Sequence, residues 1–167
     1  MEKNVSDAIL NVCSILNKHS VQYLAVGGTA VTFHGHFRHS KNSAGQIINK
    51  PDLDFWYNPT YKNYFNLLNA LEELGKDVKE FKDQQAPDPL KSFFRFELEK
   101  FTLDLLPVLK TKMKFDTAYM RREVTTLNQI KIPFISYEDL ILDKQTNPRS
   151  KDLEDIEQLQ LKKKSKK

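Results

Sequence analysis

Pro51-Asp-Leu-Asp-Phe-Trp-Tyr57 is the stretch on which the fold turns. Its apolar and aromatic composition reads as an extended strand, and side chains two apart on a strand point the same way. Asp52 and Asp54 therefore project from one face. Further on, Phe101-Thr-Leu-Asp-Leu-Leu106 is a second strand-like run, carrying Asp104 with Leu103 and Leu105 turned to the opposite face. Three converging carboxylates repel one another unless a divalent cation neutralises them, and hard oxygen ligands suit Mg²⁺ or Mn²⁺. Such a cluster is the start of a phosphoryl-transfer site. The bland alternative is a solvated strand edge for Asp52 and Asp54 and a lone surface acid for Asp104.

Upstream, Val21-Gln-Tyr-Leu-Ala-Val26 is a short apolar strand that stops at Gly27-Gly28. Ala30-Val-Thr-Phe-His34 then reads as a helix ended near Gly35. Glycine lets backbone approach a phosphate closely, and a helix N-terminus presents free N–H groups with partial positive charge. Thr29 adds a hydroxyl. A Gly-Gly turn is common, and its other reading is a tight turn alone; what gives it weight is the Asp-Leu-Asp strand that follows.

The remaining chain alternates helical and extended patterns. Asp7 to His19 carries apolar residues at Ile9, Val12, Cys13 and Leu16, an amphipathic first helix. His39 to Lys50 is polar with Ser43-Ala-Gly45 and reads as a mobile loop. Asn58-Pro59-Thr60 is a turn able to cap a helix over Tyr61 to Leu74, closed by Gly75. Lys79 to Leu90 reads as a loop. Ser92 to Leu98 and Phe101 to Leu109 form a plausible hairpin, as do Glu123 to Leu127 and Gln129 to Ile135 about Asn128. Ser136 opens a last helical region with Asp139 as a weak capping box; Pro148 breaks it and Ser150 to Leu161 resumes it. The pattern is α+β, with a mixed sheet covered mainly on one side.

Composition sets further bounds. At 167 residues with no internal repeat or linker, residues 1–161 read as one domain. No apolar run approaches the ~20 residues of a membrane-spanning helix. Met1-Glu-Lys-Asn-Val-Ser lacks the order of a signal peptide. Cys13 is the single cysteine, so no internal disulfide forms, and a cytoplasmic location is the default expectation. The net charge of +4 becomes −1 once the five lysines of 162–167 are set aside. The body therefore shows no strongly basic nucleic-acid groove, and Lys162-Lys-Lys-Ser-Lys-Lys167 reads as a disordered, solvated tail.

Val26-Gly-Gly-Thr-Ala-Val31, His34-Gly-His-Phe-Arg38, Asp52-Leu-Asp-Phe and Leu103-Asp-Leu together resemble the nucleotidyltransferase superfamily. Within it they are most similar to the minimal nucleotidyltransferases and the AbiEii-like toxins of toxin–antitoxin systems. Ile135-Ser-Tyr-Glu-Asp-Leu140, Lys144 and Arg149-Ser-Lys-Asp-Leu-Glu-Asp155 resemble the C-terminal helices of that group. The resemblance implies a small mixed sheet with helices packed mainly on one face and a C-terminal helical cap. It implies that Asp52, Asp54 and Asp104 hold Mg²⁺ or Mn²⁺, and that a nucleoside monophosphate passes from a nucleoside triphosphate to an acceptor hydroxyl. Asp104 would help deprotonate that hydroxyl. Gly27, Gly28 and Thr29 would cradle the β and γ phosphates, with Lys144 and Arg38 as further triphosphate ligands. The acceptor class stays open between a protein, a tRNA 3′ end and a small molecule such as an aminoglycoside. A cognate toxin or antitoxin partner is implied at the same level.

Two departures stand out. The family usually shows Gly-Ser where this chain has Gly-Gly-Thr. Ser40 to Pro51 also lengthens the segment before the acidic pair, which makes it a lid, a specificity element or a mark of altered function. The competing class is a non-catalytic binding or regulatory module on the same fold. His34, His36 and His39 tempt a zinc reading, but i and i+2 positions on a helix face nearly opposite ways and no cysteine is nearby. Asp88, Asp116 and Asp143 read as surface residues, and Lys151, Asp152 and Asp155 as a charged helix face. Trp56 and Phe93-Phe94 read as core.

Overall fold

The computed structural model describes all residues except Arg38, Asn42, Asn49 and Lys167, and of Ser40 and Lys41 it describes the backbone alone. Asp52–Tyr57 is a strand with the bounds the sequence suggests, β4, and it sits at the centre of the fold. Before it come α1 (Lys3–Lys18), β1 (Tyr23–Ala25), α2 (Gly27–Phe33) and a small hairpin of β2 (Ser40–Lys41) and β3 (Ile47–Ile48). After it come α3 (Tyr61–Glu73), α4 (Lys79–Lys82), a 3-10 turn (Pro89–Lys91), β5 (Phe94–Glu97), β6 (Thr102–Leu106) and α5 (Phe115–Met120). The chain continues as β7 (Glu123–Leu127), β8 (Ile130–Phe134), α6 (Tyr137–Gln145) and α7 (Ser150–Ser165).

Six strands form one mixed sheet in the order β5-β6-β4-β1-β8-β7. β4 runs parallel to β6 and antiparallel to β1, while β1 runs parallel to β8. The two edges are closed by the antiparallel hairpins β5–β6 and β7–β8. Asn128 and Gln129 both take positive φ, 44° and 66°, as a tight two-residue turn between β7 and β8 requires.

Alternation along the strands sorts the side chains into two layers. Leu53, Phe55 and Tyr57 of β4 and Leu103 and Leu105 of β6 face one side, against Ile9, Val12 and Leu16 of α1 and Leu67, Leu68 and Leu71 of α3. Trp56 faces the other side, in a second cluster with Val31 of α2, Phe115 of α5, Leu140 of α6 and Leu159 of α7. Its indole N–H donates to the Pro107 carbonyl at 3.1 Å, so the core position leaves no buried donor unpaired. At about 1.5–3 kcal/mol for each large apolar side chain buried, these layers hold the sheet between them.

The caps behave as their residues suggest. Thr60 accepts from the Asn63 N–H at the start of α3, and Ser136 accepts from the Asp139 N–H at the start of α6.

Several expectations change. Residues 39–50 are not a plain loop, because residues 40–41 and 47–48 pair antiparallel about the turn at Gly45. Lys79 to Leu90 contains α4 and most of the 3-10 turn, and a further helix, α5, stands between β6 and β7. The lysine-rich end is helical through Ser165: Lys163 reaches Glu138 at 3.3 Å and lies over the Tyr137 ring. No helix among the described residues is long and apolar enough to cross a membrane.

Candidate active site

Parallel pairing of β4 with β6 aligns Asp54 with Asp104 and Asp52 with Thr102. Register partners share a face, so all three acids emerge on the side away from α1 and α3. They line one cavity of about 510 Å³, together with the glycine turn and the residues that open α7. Asp54 and Asp104 are half-buried and Asp52 is exposed at the strand end. The spatial gathering expected from sequence is present.

The glycine turn is shaped around Asp54. Gly27 has φ +52°, and a Cβ there would lie 2.7 Å from Asp54 Oδ2, too close for any side chain. The Gly28 N–H donates to the same oxygen at 3.3 Å. Thr29 is buried, and its hydroxyl oxygen accepts from the Asp54 N–H at 3.0 Å. Thr29 also lines the cavity, so the hydroxyl that fixes β4 against α2 sits at its wall and keeps a proton of its own to donate. Three consecutive residues thus position one aspartate: Gly27 by close approach, Gly28 at its carboxylate and Thr29 at its backbone N–H.

Electrostatics at the acids are unfavourable without a counter-charge. Burial, then the neighbouring Asp104 and Asp52, push the Asp54 carboxyl up to about 7. Burial also raises Asp104, opposed by the Arg95 guanidinium and reinforced by Asp52. Arg95 Nε approaches Asp104 Oδ1 at 3.6 Å, and that oxygen is buried without a hydrogen-bond partner. A buried, underpaired carboxylate oxygen beside a second carboxylate that resists ionisation fits a hard divalent cation. Among the described residues, however, no three histidine, cysteine, aspartate or glutamate side chains are already arranged as a metal-ion cage.

Part of the cavity lining is cationic. Lys110, Lys144, Arg149 and Lys151 contribute to it, and Lys151 is close enough to favour ionised Asp54 and Asp104. Lys144 is not the solvent-facing cation that its motif suggested. It is buried, with its ammonium 2.8 Å from Asp155 and 3.3 Å from Asp152. Lys110 Nζ and Arg149 Nε also reach Asp152, at 3.3 and 3.0 Å. Burial works against an ionised Asp152, but Arg149 and Lys144 overcome it and hold the carboxyl far below its usual range. Asp152 and Asp155 are thus interior anchors of α7 against α6, not a solvated helix face.

Other assignments also move. Arg38 lies outside the described residues. Asp143 lines the cavity with one carboxyl oxygen buried and unpartnered, and burial raises it. Phe94 is core, but Phe93 is 50% exposed and lines the cavity. His34 Nε2 lies 2.8 Å from the Ile135 carbonyl, which ties α2 to the end of β8. Strand alternation alone held the signal for Phe93, because Phe94 and Phe96 claim the core face.

No family model matches the sequence, and no curated protein matches it significantly. Solved structures do match the fold. A lincosamide antibiotic adenylyltransferase, LnuA, in lincomycin-bound form superposes with a TM-score of 0.58 at 19% identity, over 96% of each chain. The antibiotic-resistance factor ANT(2'')-Ia gives 0.57 at 15% identity, over 95% of this chain and 84% of that one. A nucleotidyltransferase-like antigenic protein from Paracoccidioides brasiliensis gives 0.51 at 13% identity, covering 95% and 76%. The chain has the nucleotidyltransferase fold.

Proposed function

We propose that this protein is a nucleotidyltransferase that moves a nucleoside monophosphate from a nucleoside triphosphate to a hydroxyl of a small molecule. One observation carries the reading: Asp54 and Asp104 stand in register on adjacent parallel strands, with Asp52 on the same face, above a glycine turn that has no room for a side chain. A fold can host many activities, so the weight rests on this site rather than on likeness. Two of the fold neighbours are named as antibiotic-directed proteins, which favours a small acceptor over a tRNA or protein. The toxin–antitoxin association read from the sequence belongs to the macromolecular alternative.

Asp52, Asp54 and Asp104 would hold Mg²⁺ or Mn²⁺, which when bound supplies the positive charge that offsets the triphosphate and the developing leaving group. The triphosphate lies along the cavity from the glycine turn toward Lys151, Lys110 and Arg149, whose charges oppose phosphate repulsion as point and planar donors. Lys144 acts one layer behind, holding Asp152 and so the start of α7. Asp104 takes the proton of the acceptor hydroxyl. The oxygen forms a bond to the α-phosphorus as the bond to the bridging oxygen breaks, and pyrophosphate leaves with that electron pair.

The test is incubation with each nucleoside triphosphate labelled at the α-phosphate, Mg²⁺ and a fractionated small-molecule extract. Label is expected in a low-mass product with pyrophosphate released, and Asp104→Asn abolishes it. Label in protein or RNA instead would move the acceptor class. No labelling, together with no metal-dependent nucleotide binding, leaves the non-catalytic module.

A further inference from the structure

The sheet order sets a lateral order on the acidic face. The glycine turn follows β1, Asp52 and Asp54 lie on β4, Asp104 on β6 and Arg95 on β5, and these strands are neighbours in the order β1-β4-β6-β5. The glycine turn and Arg95 therefore flank the acids from opposite sides. In an in-line displacement the entering and leaving oxygens also lie on opposite sides of the phosphorus. With the leaving phosphates on the glycine flank, the entering hydroxyl comes from the β5 flank.

That flank has a definite chemistry. Phe94 and Phe96 of β5 face the core layer, so Phe93 and Arg95 point onto the acidic face. Phe93 is 50% exposed and the Arg95 side chain 58% exposed, both lining the cavity. Leu106 and the 46% exposed Val108 continue the apolar surface beside them. Arg95 stands opposite Asp104 in the β5–β6 register, 3.6 Å away, close to where an attacking hydroxyl must sit. A half-exposed phenyl ring offers a flat apolar platform, and a guanidinium offers a planar fork for carboxylate or phosphate.

We propose that the β5 flank is the acceptor subsite, and that it takes a hydroxyl compound bearing both an apolar ring surface and a carboxylate or phosphate. Phe93 receives the ring and Arg95 the anion. Amino-sugar acceptors are selected against, because their ammonium groups would meet Arg95. This inference rests on the nucleotidyltransferase reading above.

The test uses the full chain with Mg²⁺ and labelled ATP, GTP, CTP or UTP, after calorimetry has measured nucleotide binding with and without the metal. Acceptors are phenyl glycosides of one hexose scaffold in neutral, 6-carboxylate, 6-phosphate and 2-amino forms. Binding is also read against a non-hydrolysable triphosphate analogue. One of the two anionic forms is expected to exceed the amino form at least tenfold in kcat/KM and in affinity, and the carboxylate and phosphate arms tell the anions apart. Arg95→Glu should reverse that ratio and Arg95→Gln flatten it. Phe93→Ala should raise KM for phenyl over methyl glycosides with kcat little changed. Preference for the amino form, an unchanged ratio in Arg95→Glu, or no binding of either anionic form in a protein that binds nucleotide overturns the subsite alone. Absence of metal-dependent nucleotide binding takes down both readings.

Discussion

Gly27 and Asp54 are built against each other: a single added Cβ on the glycine would meet the carboxylate oxygen at 2.7 Å. The turn and the acid are therefore one unit, although 26 residues separate them. Gly27→Ala carries two penalties, the positive φ and the clash, together about 2 kcal/mol or more. Urea unfolding should show that loss, and the double variant Gly27→Ala with Asp54→Ala should recover the steric part. Additive losses in the double variant would contradict the contact.

Asp54 itself makes stability depend on pH with a predictable sign. Its folded carboxyl titrates near 7, against 3.8 for the unperturbed group. Between those values the folded protein holds a proton that the unfolded chain has released, so stability falls as pH rises and the penalty is complete above about 7. In metal-free buffer Asp54→Asn should therefore stabilise the fold by roughly 2–4 kcal/mol at pH 8 and by less than about 1 kcal/mol near pH 4. Equilibrium unfolding at both values checks it; equal effects at the two would contradict the assignment.

Lys144 and Lys151 should separate cleanly. Lys144→Ala removes the buried ammonium from beside Asp155 and one of the three cations around Asp152, and should cost about 3–5 kcal/mol in unfolding free energy. Lys151 is exposed at the cavity. Lys151→Ala should change stability by less than about 0.5 kcal/mol yet weaken triphosphate binding several-fold. Denaturation and calorimetry on both variants decide it.

Ion pairs at the end of α7 are a milder case. Lys163→Ala removes the 3.3 Å pair with Glu138 and the cation over Tyr137, both at the surface. The expected loss is below about 1 kcal/mol and shrinks at 1 M salt. A larger, salt-insensitive loss would point to packing instead.

Much of the fold was legible because its periodicity is local. β4, β6, β7, β8 and the capped starts of α3 and α6 follow from alternation and from Thr60 and Ser136. The acids converge because β4 and β6 pair in parallel with Asp54 opposite Asp104, a register that no local pattern along the chain specifies. The rest depended on tertiary partners. Lys144, Asp152 and Asp155 look like surface charges along the chain and become an interior cluster only when α6 meets α7. The tie from the Thr29 hydroxyl oxygen to the β4 backbone likewise exists only once α2 meets β4. The paired segments at 40–41 and 47–48 are two residues each, too short for alternation to mark them as strands.

Isothermal titration of the intact protein with a non-hydrolysable nucleoside triphosphate, with and without Mg²⁺, tests the shared-cation claim most directly. The account predicts binding that requires the metal and is lost in Asp52→Ala and Asp104→Ala, with Asp54→Asn retaining a folded but inert protein. Nucleotide binding that ignores both the metal and these three substitutions would contradict it.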